Sequence, residues 1–291
     1  MNDNIKVINW NKDLEQQALD LLNKYKESSL FLLSNIKTYG SKLTDASYSA
    51  NFKCLVKDHK VVAVFGLTKI GSLLFQTDRN ADYSTLIIDE CLKEPISLCG
   101  IIGDWQLAKQ ILDVTKTKIL AFANTIPKKS ILFKLALENL PNLKPKFAVK
   151  YLELSDFAEW NAAYKAFSST LNLITDKNED ESSRYKRFLG GVKDKYFFGL
   201  FINNKLAAIA SFIVCSGETG QIGGVFTLPE MRQQGLAKEL IYQLALDGKI
   251  NKHLDEAVLF TSEDNYPAIK LYESLGFKKI GYFGLFFKSG D

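Results

Sequence analysis

The sequence predicts a protein of two α/β domains, and three observations support this fold class. The chain has 291 residues, more than a single hydrophobic core usually serves. Short apolar and β-branched runs alternate with segments of helical apolar spacing, which is the pattern of α/β folds. Pro141 and Pro145 lie near the middle of the chain, where they disfavour helix and favour an extended linker. We therefore expect one domain at residues 1–145 and a second at residues 146–291.

The first half begins with a predicted strand at residues 5–10. Asn11 is predicted to cap a helix, because five apolar residues then follow at helical spacing: Leu14, Ala18, Leu21, Leu22 and Tyr25. A second helix is expected to end near Gly40. The remaining elements are predicted as strands at residues 52–56, 61–67 and 97–102 and a helix at residues 106–114.

The second half repeats the alternation of strand and helix. A strand is predicted at residues 147–152, after which Ser155 and Asp156 are expected to cap a helix. The polar stretch at residues 175–183 predicts a loop between helices. Asn203 and Asn204 tolerate positive φ, so they predict a hairpin turn. Its strands are expected at residues 197–202 and 206–214, with a third strand at 221–227.

Composition limits the classes of function. A net charge of +4, with dispersed lysines, gives no reason to expect nucleic acid binding. Four cysteines without CxxC spacing and two histidines leave little material for a metal site, so none is expected. No apolar run reaches the ~18–20 residues of a membrane-spanning helix, and the first residues lack a basic and apolar leader. These features predict a cytoplasmic protein that binds neither membrane nor nucleic acid.

The sharpest local pattern runs from a predicted strand through a polar turn into a helix at residues 223–237. Such a turn directs several free backbone N–H groups and the positive end of the helix towards one point, which suits a pyrophosphate. Gly235 and Ala237 would let phosphates approach the backbone closely. An ordinary strand-to-helix connection with a turn glycine is the alternative interpretation. The pattern is neither a Walker A loop nor a GxGxxG fingerprint.

Two motifs resemble those of a known family. Arg232-x-x-Gly235-x-Ala237 is similar to [QR]-x-x-G-x-[GA], the acetyl-CoA signature of the GNAT N-acetyltransferase superfamily. The segment from Asn265 to Phe277 is similar to the closing motif of that family, N-x-x-A-x-x-[LF]-Y-x-x-x-G-F. The resemblance implies a GNAT fold at residues 146–291, with a mixed, mostly antiparallel twisted sheet flanked by helices.

The resemblance also implies acetyl-CoA, or another acyl-CoA, as co-substrate and no metal. The backbone of Val225 and Thr227, with Phe226 between them, is expected to pair with the pantetheine arm. Asn265 is expected near the pantetheine or thioester end, and Arg232 either contacts the cofactor or braces the loop. The pyrophosphate is expected to lie against one segment, which consists of Gln233, Gln234, Gly235, Leu236, Ala237 and Lys238.

Tyr272 lies on the apolar stripe of the second motif, where a tyrosine that only packs is the simpler interpretation. In GNAT enzymes the tyrosine at this position donates a proton to the departing CoA thiolate, so the resemblance implies that role here. A base must also take a proton from the amine, yet residues 221–225 contain no acid. Glu218 and Glu263 are the candidates, acting through water, although each is also typical of a surface acid.

The activity implied by the resemblance is transfer of acetyl to a primary amine, on a small molecule or a peptide, by direct attack. A non-catalytic acyl-CoA-binding or regulatory protein is the alternative, which the missing strand acid favours and Tyr272 opposes. We expect a monomer or a homodimer. The first half has a similar order of elements without either motif, so it is expected to be a second, degenerate GNAT-like module; an unrelated α/β domain is the alternative.

Overall fold

The computed structural model describes residues 5–171 and 179–288. The chain forms two compact units, one from the residues up to Ile131 together with those from Gly281 onward, the other from Leu132–Ile280. Residues 140–147, which contain both linker prolines, have no helix or strand. The predicted domain boundary at residue 145 lies in this linker. The two compact units divide the chain differently: most of the strand before the linker, at residues 129–136, belongs to the second unit, and the end of the last strand, from Gly281 onward, belongs to the first.

The first unit is a mixed, mostly antiparallel sheet with helices on it. Its strands lie in the order β1-β2-β3-β4-β5-β12, and only β4 and β5 are parallel. The strands are β1 (Ile5–Asn9), β2 (Lys53–Lys57), β3 (Lys60–Leu67), β4 (Ser72–Thr77), β5 (Gly100–Asp104) and β12 (Lys278–Phe287). The helices are α1 (Lys12–Lys24), α2 (Lys26–Tyr39), α3 (Ser84–Cys91) and α4 (Trp105–Lys118).

Local chemistry explains most of these boundaries. The Asn11 side chain accepts hydrogen bonds from the amides of Asp13 and Leu14, which confirms the predicted cap of α1. Gly40 ends α2 with a φ of 76°, as predicted. Neighbouring residues of β2 face opposite sides of the sheet, so Cys54 packs under α1 and α2 while Leu55 packs under α3 and α4.

The second unit has the same kind of sheet. Its strands lie in the order β6-β11-β10-β9-β8-β7, and β10 and β11 are parallel. The strands are β6 (Lys129–Ala136), β7 (Ala148–Tyr151), β8 (Phe197–Ile202), β9 (Lys205–Ser216), β10 (Thr219–Thr227) and β11 (Glu256–Ser262). The helices are α5 (Phe157–Leu171), α6 (Glu181–Lys193), α7 (Leu236–Asn251) and α8 (Tyr266–Ser274).

The second unit confirms several predictions and corrects two. Asn203 and Asn204 have φ of 50° and 62°, and they form the predicted hairpin turn. The helix predicted after Ser155 and Asp156 is confirmed, because α5 begins at Phe157, but its predicted cap is corrected: a capping box between Glu153 and Asp156 opens a short 3₁₀ turn before α5. Of the loop predicted at residues 175–183, residues 175–178 lie outside the described part of the chain. Residues 181–183 are helical instead, because α6 begins at Glu181.

Within the described residues, the two halves of the chain show the same order of elements: strand, two helices, three strands, helix, strand, helix and strand. In the first half this order runs from β1 to β6, and in the second half from β7 to β12. Most of β6 nevertheless belongs to the second unit, and most of β12 belongs to the first. The predicted fold class is therefore confirmed for both halves. Within the described residues no helix is both long and apolar enough to cross a membrane.

Candidate functional site

Strands β10 and β11 separate partway along their length. Their parallel register covers Thr219–Gln221 against Glu256–Val258 and then ends. Beyond this point residues 222–227 of β10 and 259–262 of β11 run on without pairing to each other. A cleft of about 700 Å³ opens on the side of these strand ends. Backbone groups along a separated strand edge can accept an extended ligand as though it were an added strand.

A bulge bends β10 where it borders the cleft. Its register with β9 shifts from Gly223 opposite Ser211 to Phe226 opposite Ile209, so Gly224 and Val225 face one residue of β9. Gly224 has a φ of 61°, which a side chain would strain. The bulge therefore reorients the backbone N–H groups of this stretch and depends on the glycine.

The turn after β10 presents backbone amides to the same cleft. Gln233 and Gly235 have φ of 63° and 78°, and no heavy atom lies within 4 Å of where a Cβ on Gly235 would stand. Gly235 begins α7 without a side-chain cap, so the first amides of the helix, on Leu236, Ala237 and Lys238, keep their hydrogen-bonding capacity. Free amides, a positive helix end and the Lys238 ammonium together favour an anion.

Arg232 braces this turn. Its Nε donates a hydrogen bond of 3.2 Å to the carbonyl of Thr227, and its guanidinium lies 5.5 Å from the centre of the Phe226 ring. Both contacts tie the turn back to the end of β10. The side chain of Arg232 therefore has a structural partner as well as a place on the wall of the cleft.

Asn265 joins the end of β11 to the start of α8. Its Oδ1 accepts a hydrogen bond of 3.4 Å from the Ala268 amide, and its Nδ2 donates one of 3.0 Å to Thr261 Oγ1. Pro267 occupies the first turn of α8, and Gly276 follows the helix with a φ of 90°. This packing fixes the wall of the cleft opposite α7.

Tyr272 lies at the inner part of the cleft wall with only 6% of its surface exposed. Its ring packs against Phe133 at 5.9 Å and Phe277 at 6.1 Å between centroids. Burial raises the pKa of the Tyr272 phenol to about 12, because the charged phenolate is poorly solvated there. The side chain therefore stays protonated at neutral pH and can act as a proton donor.

The structure brings most of the predicted site residues together. Of the residues expected to bind acyl-CoA, all but Gln234 line the cleft, and so does Tyr272. Seven further residues line it that the sequence analysis did not identify: Phe167, Thr170, Met231, Ile241, Pro267, Ala268 and Leu271. Pro267, Ala268 and Leu271 lie within the second motif, whereas nothing in the local pattern of α5 marks Phe167 or Thr170 as wall residues.

The predicted bases are not brought to the cleft. Glu218 is exposed in the turn between β9 and β10, where its carbonyl accepts hydrogen bonds from the amides of Asp255 and Glu256. It lies at the far end of β10, on the order of 20 Å from Val225 at ~3.3 Å per residue. Glu263 is exposed in the turn before α8 and does not line the cleft. Among the described residues that line it, none is an aspartate, glutamate or histidine.

Comparison with known proteins finds a family match for a segment of the second half of the chain. Residues 159–277 match the family model described as "Acetyltransferase (GNAT) family", and this segment contains β10, the turn and α8. This segment of the second half is a GNAT-family domain, and the match supports an acetyltransferase. In the part of the chain that the structure describes, no group of three or more histidines, cysteines or acids could hold a metal ion.

One relative and two solved structures extend the comparison. An N-alpha-acetyltransferase of Saccharolobus solfataricus is 32% identical over 72 residues, which are 25% of this chain and 43% of the relative. A GNAT-family acetyltransferase of Colwellia psychrerythraea is 17% identical, with a TM-score of 0.55 over 98% of this chain and 99% of that one. A tandem GNAT protein of the clavulanic acid biosynthesis pathway is 14% identical, with a TM-score of 0.56 over 99% of each chain. These structures share the fold of both halves.

Proposed function

We propose that this chain is an acyl-CoA-dependent N-acyltransferase that transfers acetyl from acetyl-CoA to a primary amine. The observation that carries the proposal is the separation of β10 from β11 after Gln221 and Val258, directly beside the uncapped start of α7. One cleft thus offers an unpaired strand edge, a set of free amides and a buried phenol.

The residues present fit the parts of acyl-CoA in turn. A pantetheine arm carries amides that can pair with the backbone of Val225 and Thr227 along the separated edge. A pyrophosphate suits the amides of Gln233 to Ala237 and the ammonium of Lys238. Gly235 leaves open space where a side chain would project, which lets phosphate oxygens approach. Asn265 and Tyr272 form the wall at the thioester end in this arrangement.

The chemistry then divides between the bulge and Tyr272. Backbone N–H groups near Val225 stabilise negative charge that develops on the thioester oxygen. Tyr272, which its raised pKa keeps protonated at neutral pH, donates its phenolic proton to the thiolate that leaves, and the resulting phenolate then takes a proton from water. Since no acid lines the described part of the cleft, the amine enters uncharged and loses its proton to water after it attacks.

The name of a relative, rather than the cleft, suggests which acceptor to test first. The Saccharolobus relative is named an N-alpha-acetyltransferase, so a peptide α-amino group is the first acceptor to test. Small-molecule primary amines form the second set. Release of free CoA from acetyl-CoA, measured with each acceptor set, tests the proposal. Release of CoA that requires an added amine supports the proposed acyl transfer. Release of CoA without formation of an amide bond contradicts it.

One observation favours a second candidate, a non-catalytic acyl-CoA-binding protein. Glu218 and Glu263 both lie away from the cleft, so no described side chain there is a ready base. This candidate predicts tight binding of acetyl-CoA with no acceptor-dependent release of CoA from either acceptor set. It also predicts that removal of the Tyr272 hydroxyl changes no rate.

A further inference from the structure

We infer that Ser211 is a positioning residue that holds the β10 bulge in the shape needed to polarise the thioester carbonyl. The inference rests on the proposed function, because it assigns a role within the same acyl transfer. Ser211 lies on β9, between Phe197 of β8 and Gly223 of β10. It does not line the cleft, so it acts through the backbone of β10.

The contact that carries the inference is a side-chain hydrogen bond. The Ser211 Oγ donates to the carbonyl oxygen of Gly223 at 3.2 Å, and Ser211 is only 7% exposed. This carbonyl belongs to the last β10 residue that keeps its register before the bulge. A buried hydroxyl needs a hydrogen-bond partner, and the Gly223 carbonyl next to the bulge provides it.

The same hydroxyl is packed against the residue with positive φ. A Cβ built on Gly224 would stand 3.2 Å from Ser211 Oγ, and one on Gly223 would stand 2.7 Å from Ile213 Cγ1. Strand β9 thus fits closely against Gly223, which precedes the bulge, and against Gly224 within it. The peptide plane between Gly223 and Gly224, whose oxygen Ser211 holds, directly precedes Val225, so its orientation sets where the next N–H groups point.

Two effects make the hydroxyl more than a space-filling group. It fixes the orientation of one peptide plane, and an error of about 1 Å in such a donor can lower a rate by about a hundredfold. It also withdraws charge from the Gly223 carbonyl, which strengthens the Gly224 N–H as a donor because linked hydrogen bonds reinforce one another. Neither effect changes the cleft walls that bind the rest of acyl-CoA.

The test compares Ser211→Ala, Ser211→Thr and a matched control, Thr219→Val. Thr219 is also buried and carries a hydroxyl, but it is the first residue of β10, at the end of the strand away from the bulge. Acetyl-CoA labelled with ¹³C at the thioester carbonyl reports polarisation through its infrared stretching frequency when bound. We expect the frequency to fall on binding to the wild type, to fall much less with Ser211→Ala, and to be restored by Ser211→Thr.

Kinetics and binding complete the test. We expect Ser211→Ala to lower kcat by about tenfold while the Kd for acetyl-CoA stays within about twofold, whereas Thr219→Val changes neither. An unchanged infrared shift in Ser211→Ala, or an equal loss of kcat and acetyl-CoA affinity, overturns the inference and leaves the proposed function standing. Absence of acetyl-CoA binding by the wild type overturns both.

Discussion

Gln221 of β10 faces Val258 of β11 as the last pair before the two parallel strands separate. The last residues of β10, from Val225 to Thr227, line the cleft, and the start of α7 brings backbone amides and Lys238 to the same opening. The proposed acyl-CoA site is therefore a consequence of where one strand pairing ends.

Replacement of Lys238 tests the phosphate end. Lys238→Ala removes a cation at the positive end of α7, so we expect the Kd for acetyl-CoA to rise by roughly five- to thirtyfold, or ~1–2 kcal/mol. Lys249→Ala, in the last turn of the same helix, is the matched control and is expected to leave the Kd unchanged. Calorimetric titration at two salt concentrations measures both. Equal Kd values for the two variants would contradict a phosphate site at this helix start.

Replacement of Tyr272 tests the thioester end. Tyr272→Phe keeps the buried ring between Phe133 and Phe277 but removes the proton donor, so we expect kcat to fall by about a hundredfold. The Kd for acetyl-CoA and the thermal midpoint are expected to change little. Tyr266→Phe, on an exposed tyrosine of the same helix, serves as the control. A Tyr272→Phe enzyme with normal kcat would assign Tyr272 to packing alone.

The pH dependence tests whether the reaction proceeds without a base among the described residues that line the cleft. The pKa of Tyr272, raised to about 12 by burial, keeps its phenol protonated throughout the range from about pH 6 to 10, so the donor is not lost as the pH rises. We expect kcat/KM to increase with pH as the acceptor amine loses its proton. Glu218→Gln is expected to leave this profile unchanged, within about twofold at each pH. A large loss of rate in Glu218→Gln would contradict the conclusion that Glu218 lies too far from the cleft to act as the base.

The last strand tests the division into units. Phe286 of β12 is buried in the core of the first unit, where its ring lies 5.5 Å from that of Trp105. Phe286→Ala is expected to destabilise this unit by about 3–5 kcal/mol, through lost burial and a cavity. Ile280→Ala, at a half-exposed position on the same strand, should cost less than about 1 kcal/mol. Urea unfolding followed by tryptophan fluorescence measures both, and equal midpoints would contradict the assignment of β12 to this core.

Much of the cleft could be predicted from the sequence because its parts are local. The turn glycine at 235, the cap at Asn265 and the tyrosine at 272 lie within short motifs whose spacing carries the geometry. Both Asn11 and the Asn203-Asn204 turn were also predicted correctly, since caps and tight hairpins depend on neighbouring residues.

The features that were missed depend on distant segments of the chain. The cleft opens only beyond Gln221, where the pairing between β10 and β11 ends, and Glu218 lies at the opposite, paired end of β10. No local sequence pattern shows where two strands separate. The places of β6 and β12 in the sheets depend on pairings with residues far away in sequence, which periodicity does not record. Phe167 and Thr170 reach the cleft only through the packing of α5 on the sheet.

Calorimetric titration of the full chain with acetyl-CoA tests the central claim most directly. Gly235→Glu places a bulky negative group in the open space at the start of α7, where a phosphate is proposed to lie. Gly217→Glu is the matched control, since Gly217 also has a positive φ and open space around it but lies in the β9–β10 turn. We predict micromolar binding by the wild type and Gly217→Glu and its loss in Gly235→Glu, with the same thermal midpoint in both variants. Binding that survives in Gly235→Glu, or no binding by the wild type, would contradict the proposed acyl-CoA site.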